Sequence, residues 1–140
     1  MSDNTFVDTN VLVYARDASE PEKQQAAIMW LQDIWHNRTG RISTQVCNEY
    51  YVTVTQKLEP GLSRKEAWED ICALESWRPV SIDMKCLYNA KDIQDKTEIS
   101  WWDALIISAA YSAECNRIIS EDLNAGQIVS GIEIVNPFQR

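Results

Sequence analysis

The order of short apolar runs and helix-periodic stretches predicts an α/β fold, a three-layer α/β/α sandwich with a mainly parallel central sheet. Five short runs read as strands, and each of the first three is followed by helical spacing before the next begins. Strands joined through helices run parallel and are covered on both faces. The chain has 140 residues, 45% of them hydrophobic, which suits a single domain over residues 1–140 around one core.

The elements follow in order. Thr5-Phe6-Val7 reads as the first strand and runs directly into Asp8. From Pro21 to about Trp35, Ala26, Ala27, Trp30, Leu31 and Ile34 recur at helical spacing, and Pro21 suits a first helical turn. Arg41-Ile42-Ser43-Thr44 reads as a second strand, then Val46, Tyr50, Val54 and Leu58 mark a helix over about Gln45–Leu58. Ser63-x-x-Glu66 is a capping box that opens a helix running to about Trp77. Pro79-Val80-Ser81-Ile82 reads as a third strand and Met84 to about Asp95 as a helix. Ser100-x-x-Asp103 starts another helix, with Trp102, Leu105, Ile106, Ala109 and Ala113 on its apolar face. Arg117–Ile119 and Ile132–Val135 are the last two strands.

Composition narrows the chemistry. With 21 Asp and Glu against 13 Lys and Arg, the net charge is −8, which excludes a protein that coats nucleic acid through a broad basic surface. One histidine, His36, all but removes histidine-based acid–base chemistry and histidine metal sites. Cys47, Cys72, Cys86 and Cys115 form no C-x-x-C pair and read as reduced, partly buried thiols of a cytoplasmic protein. Met1–Val7 carries no secretory signal, and no apolar run is long enough to span a membrane.

In open parallel sheets the functional crevice lies beyond the carboxyl ends of the strands. Asp8 follows the first strand, Glu49 lies in the helix after the second, Asp122 follows the strand at Ile118-Ile119, and Asp103 opens the helix leading into that strand. Carboxylates gathered there repel one another, and a hard divalent cation relieves the repulsion. Mg²⁺ prefers oxygen donors, whereas Zn²⁺ would want His or Cys. A metal so held can activate water and stabilise charge on a phosphodiester.

Four segments then resemble the motifs of one family. Phe6-Val7-Asp8-Thr9-Asn10-Val11-Leu12-Val13-Tyr14, Asn48-Glu49-Tyr50, Trp102-Asp103-Ala104-Leu105-Ile106 and Ser120-Glu121-Asp122-Leu123 look like the PIN-domain motifs, in order and across nearly the whole chain. The resemblance implies a Mg²⁺- or Mn²⁺-dependent ribonuclease of the VapC toxin type, a homodimer held inactive by a partner antitoxin. Carried over by motif, Asp8, Glu49, Asp103 and Asp122 become catalytic metal ligands, with Thr9 hydrogen-bonding the first. Glu121 precedes Asp122 directly and offers a second candidate for the fourth acid.

Ordinary structural roles are open to the same residues. Asp8 suits a helix cap, Asp103 occupies the acid position of a capping box, Glu49 suits an exposed helix face and Asp122 a turn. Trp101 is a candidate for stacking on an RNA base, and Trp102 for the core or a dimer contact. Trp30, Trp35, Trp68 and Trp77 read as core and interface material, and His36 as a residue at a helix end. Arg16, Lys23, Arg41 and Lys57 are candidates for phosphate contacts, Arg16 first among them. Two other functions stand against the ribonuclease. A non-catalytic PIN-like module binding RNA or protein would not need the acids. A receiver-like phosphoacceptor would need a Lys after a late strand, and none follows Ile118-Ile119.

Overall fold

Thr5, Phe6 and Val7 are fully buried and form β1 (Thr5–Val7), as expected of a strand covered on both faces. The structure, a computed structural model, describes residues 3–139. The start of the Met1–Val7 segment read for a secretory signal lies outside them. β1 pairs in parallel with β2 (Gly40–Arg41) and with β3 (Arg117–Ile119), and β3 in parallel with β5 (Ile132–Val135). β4 (Ile128–Val129) lies antiparallel to β5 at the edge, giving the order β2-β1-β3-β5-β4.

Six α-helices connect these strands: α1 (Thr9–Tyr14), α2 (Pro21–Asn37), α3 (Thr44–Val52), α4 (Arg64–Leu74), α5 (Met84–Lys96) and α6 (Trp101–Ser112). The chain crosses from β1 to β2 through α1 and α2, then back over β1 to β3 through the other four. Right-handed crossovers in opposite directions place α1–α2 and α5–α6 on opposite faces, which produces the three predicted layers. Residues Ala104 to Ala110 of α6 are all buried, with Ser108 the one polar side chain among them, so the middle of this helix is covered on every side and sits between α5 and the sheet. Among the described residues no helix is long and apolar enough to cross a membrane.

Several boundaries differ from those expected of the sequence. The strand expected at Arg41–Thr44 is shorter and starts one residue earlier, at Gly40–Arg41, and the one expected at Pro79–Ile82 is a single parallel bridge between Ser43 and Val80. Neither flank extends that ladder, because Arg78 is left-handed with its N–H donating to the Glu75 carbonyl, and the Ile82 N–H donates to the Thr44 hydroxyl. The helix expected over Gln45–Leu58 starts at Thr44 and widens after Val52 into a π-helical turn, Thr53–Lys57. The capping box of Ser63 and Glu66 forms as read, but α4 stops at Leu74 and tightens into a 3₁₀ turn, Glu75–Trp77. β4 was not expected. Its signal was Ser130-Gly131, whose φ values of 52° and 78° make the two-residue turn that returns the chain into β5.

The tryptophans divide. Trp77 is buried and Trp30 and Trp101 are partly so, while Trp35, Trp68 and Trp102 are exposed. Trp102 therefore does not fill the core, because it sits in the first turn of α6, ahead of the run from Ala104 to Ala110 that is buried. Cys72 is exposed rather than partly buried, and all four thiols are free. His36 occupies the last turn of α2 as expected.

Gly40 is required by close approach. A Cβ at this position would lie 2.3 Å from the buried Trp77 ring. Gly40→Ala is expected to cost about 1–3 kcal/mol through overpacking. Denaturant midpoints check this, and an unchanged midpoint would show that the Trp77 ring yields freely.

Candidate active site at the carboxyl ends of the strands

The register of β1 with β3 builds this site. Val7 pairs with Ile119, so the next residues outward, Asp8 and Ser120, face each other where the strands end. The Asp8 N–H donates to the Ile119 carbonyl at 3.1 Å and the Ser120 N–H to the Val135 carbonyl at 3.0 Å, which fixes both backbones. The Ser120 hydroxyl then donates to Asp8 Oδ2 at 2.7 Å and accepts from the Asp122 N–H at 3.1 Å. Asp8 also caps α1, accepting from the Thr9 N–H at 2.8 Å. The capping role and a place in the site thus coexist in one carboxylate.

Asn10 joins the two acidic motifs. Its amide Nδ2 lies 3.3 Å from Asp8 Oδ2 and 3.2 Å from Asp122 Oδ2, and its Oδ1 accepts from the Glu121 N–H at 3.0 Å. Glu49 reaches the same place from α3, where its Oε1 accepts from the Thr9 hydroxyl at 3.2 Å. Thr9 therefore supports Asp8 through its backbone and Glu49 through its side chain, a wider role than the sequence suggested. Burial is the main cause that raises the Asp8 carboxyl to about 6. The hydrogen bonds from Ser120 and Thr9 oppose this, and the charges of Asp122 and Glu49 add to it.

The structure separates the two adjacent acids. Glu121 accepts from the Tyr14 hydroxyl at 2.9 Å and pairs with Lys23 Nζ at 2.6 Å. Asp122 has no such cation among the described residues and faces Asn10. The sequence left these two open, because identity alone does not say which neighbour is neutralised.

Asp103 stands apart from this network. Its backbone N–H donates to the Ser100 hydroxyl at 3.1 Å, but its carboxylate makes no capping-box bond in return and is not among the charges that shift Asp8. The reading of that carboxylate as a cap is not met. Among the described residues no three acids are gathered tightly enough to form a ready-made metal cage.

A cleft of about 690 Å³ opens beside these groups, lined by Asn10, Glu49, Asp122 and, from the π-helical turn, Thr53 and Lys57. Of the four cations considered for phosphate contact, only Lys57 lines this cleft without an acidic partner among the described residues. Arg16 is held by both oxygens of Asp70, at 3.0 and 2.6 Å, and lines a different depression. Lys23 is committed to Glu121, and Arg41 lines a cleft elsewhere. Trp101 packs against the core rather than standing free beside the cleft. Asn10 and Ser120 are the site residues that sequence reasoning missed. Both lie inside quoted motifs, but neither carries a charge that marks it.

A mainly parallel sheet with acidic side chains gathered beyond its carboxyl ends defines the class of protein. A family model of the PIN domain matches residues 5–129, and the chain belongs to the PIN-domain family. No curated protein sequence matches it. Among solved structures, it is similar to a toxin–antitoxin complex from Klebsiella pneumoniae, with a TM-score of 0.67, 17% identity and coverage of 96% of this chain and 98% of the other. It is also similar to VapBC2 from Rickettsia felis bound to a DNA fragment from their promoter, with a TM-score of 0.62, 17% identity and coverage of 93% and 96%. At this identity the likeness is one of fold.

The Asp8 environment predicts a pH effect on the metal-free protein. Its carboxyl is raised in the folded chain from 3.8 to about 6, so ionisation disfavours folding. The resulting penalty is absent below about pH 4, grows between about pH 4 and 6, and is complete above that. Asp8→Asn is therefore expected to stabilise the chelated protein above pH 6, by at most about 3 kcal/mol, with the gain vanishing towards pH 4. Melting curves across this range check it. A gain that stays the same at every pH would show that the Asp8 charge is not its source.

Proposed function

We propose that this chain is a metal-dependent endoribonuclease, the toxin component of a toxin–antitoxin pair. The observation that carries the reading is the junction of Asp8 and Asp122 through Ser120 and Asn10, with Glu49 brought in through Thr9. Membership of the PIN-domain family and the fold shared with toxin–antitoxin structures support it.

The residues fit a hard cation such as Mg²⁺ or Mn²⁺. All the donors are oxygens, and Mg²⁺ commonly binds through one or two carboxylates while keeping several waters, so a closed cage of acids is not required. Asp8, Asp122 and Glu49 would hold it, with Asp103 added as a ligand on the resemblance of its motif. When bound, such an ion activates water and offsets charge on a phosphodiester. The chain's own residues do the rest. Ser120 and Asn10 keep Asp8 and Asp122 oriented, Thr9 orients Glu49, and Lys57 offers a cation to a substrate phosphate in the cleft. Lys23 keeps Glu121 neutralised, so that it does not compete as a ligand.

An antitoxin would hold this activity in check. An acidic cleft is blocked well by an arginine, whose planar fork matches carboxylates. Tyr88 on α5 and Trp102 and Tyr111 on α6 are exposed aromatics, and a homodimer would bury part of this set. A chain of this kind works in the cytoplasm, where its four free thiols stay reduced.

Incubation of the purified chain with RNA and Mg²⁺ or Mn²⁺, with and without chelator, tests the activity. Asp122→Asn is expected to lower cleavage by roughly 100-fold or more, and Glu121→Gln to leave it largely intact. Lys57→Gln should raise KM about tenfold with kcat little changed, the pattern of lost uniform binding. Asp103→Asn should abolish cleavage and weaken stabilisation by Mg²⁺. Full activity in that variant would remove Asp103 from the site, and cleavage by Asp122→Asn at the parent rate would overturn the assignment. Light scattering of the free chain and a structure of its antitoxin complex check the assembly. A monomer at micromolar concentration, or an antitoxin that leaves the acidic cleft open, would contradict the corresponding part.

A further inference from the structure

A second cleft lies at the other end of the sheet. β2 begins at Gly40, which pairs with Thr5 at the amino end of β1, whereas Asp8 follows that strand's carboxyl end. The cleft has a volume of about 340 Å³ and is lined by Trp35, Arg38, Arg41, Ser76, Trp77 and Arg78. Among the described residues no acidic side chain lines it. Trp77 is its buried floor, seated over Gly40, and Trp35 stands half-exposed beside it with ring centroids 5.4 Å apart.

The charge placement here runs against the composition. Acids outnumber bases by 21 to 13, yet three of those 13 bases meet in one small cleft. None of the three has an ion-pair partner among the described residues, although Arg16, Lys23, Lys91 and Lys96 all do. The Arg41 guanidinium is held by neighbouring backbone, since Nη1 donates to the Gly40 carbonyl at 2.6 Å and to that of Arg38 at 3.4 Å. Arg38 ends α2 and Arg78 ends the 3₁₀ turn, each in the left-handed conformation with φ of 59° and 52°. A helix carboxyl end favours a cation, which accounts for each arginine taken singly. It does not account for two separate ends converging with Arg41 on one space that no carboxylate of the described residues enters.

Three arginines that line one cleft without a carboxylate among them raise the local positive potential, and an anion relieves it. Guanidinium forks match the oxygens of a phosphate, and a half-exposed indole offers a face on which a base stacks. The space falls at the small end of the range for ligand sites, enough for one nucleotide. We propose that this cleft is a nucleotide-binding site separate from the acidic one, in which Arg38, Arg41 and Arg78 hold a phosphate and Trp35 stacks on its base. The nucleotide is either free or one unit of an RNA strand. In the second case, an RNA would be gripped at a distance from the acidic site.

Binding is measured in chelator, where metal-dependent cleavage is off, so the result does not depend on the nuclease reading. The probes are a fluorescein-labelled single-stranded oligoadenylate, followed by anisotropy, and AMP and inorganic phosphate, followed by calorimetry. Arg38→Gln combined with Arg78→Gln should weaken the oligonucleotide about tenfold or more. The slope of log affinity against log salt should become shallower by about 0.7 for each phosphate no longer neutralised. The melting temperature of this double variant should stay near the parent's, because both side chains are exposed. Trp35→Leu should weaken AMP and oligonucleotide but not inorganic phosphate. Oligonucleotide binding far tighter than AMP identifies an RNA strand, and equal binding identifies a free nucleotide. Equal affinity of parent and double variant, no binding to the parent, or a polyglutamate peptide binding as tightly as the oligonucleotide would each overturn the proposal.

Discussion

The parallel register of β1 with β3 is the constraint on which the site depends. It sets Asp8 opposite Ser120, residues separated by nearly the whole chain. A slip of one residue would turn every side chain of β1 to the opposite face and take Asp8 away from its partner. That register is held because a slip would draw a polar neighbour, Asn4 or Asp8, into a strand whose three residues are fully buried. The hydrophobic core and the acidic site are therefore set by the same pairing. The apolar residues fix the register, and the first polar residues beyond them inherit their positions.

The burial that fixes the register also makes the acids costly. Asp8 sits where desolvation penalises its charge, and Ser120, Thr9 and Asn10 offset part of that penalty with donors. Glu49 and Asp122 add like charge instead of relieving it. The chain carries enough bases to neutralise them and directs those bases elsewhere. Lys23 goes to Glu121 and Arg16 to Asp70, while Lys57 lines the cleft without an acidic partner among the described residues. An acidic group without a paired base beside an open cleft is the arrangement the proposed cation-dependent activity would use.

The sheet also separates charge by its ends. The carboxyl ends of β1 and β3 lead to the acids, and the amino end of β2 leads to three arginines and two tryptophans. Overall composition hides this polarity, since a net charge of −8 describes the sum and not the distribution. Gly40 links the sheet to this second end, because only the absence of a side chain lets Trp77 lie against β2.

The sequence by itself determined the alternation of elements, the parallel sheet and the candidate acids, because hydrophobic period and capping residues act locally. Phe6-Val7 before Asp8, the box at Ser63 and Glu66, and the apolar run of α6 were all legible for that reason. What the tertiary structure decided concerns residues whose partners are distant. The strand expected at Pro79–Ile82 shrank to one bridge because its neighbours, not its own propensity, set the ladder. Asn10 and Ser120 became organisers of the site only once register brought them together across 110 residues. Glu121 and Asp122 are adjacent and chemically alike, and a lysine supplied by α2 is what tells them apart. Arg16 was drawn off by Asp70 on α4, while Arg38, Arg41 and Arg78 were gathered from two parts of the chain. Periodicity along a chain records which face is buried, but ion pairs and polar networks are chosen by geometry in space, where residues far apart in sequence compete for the same charge.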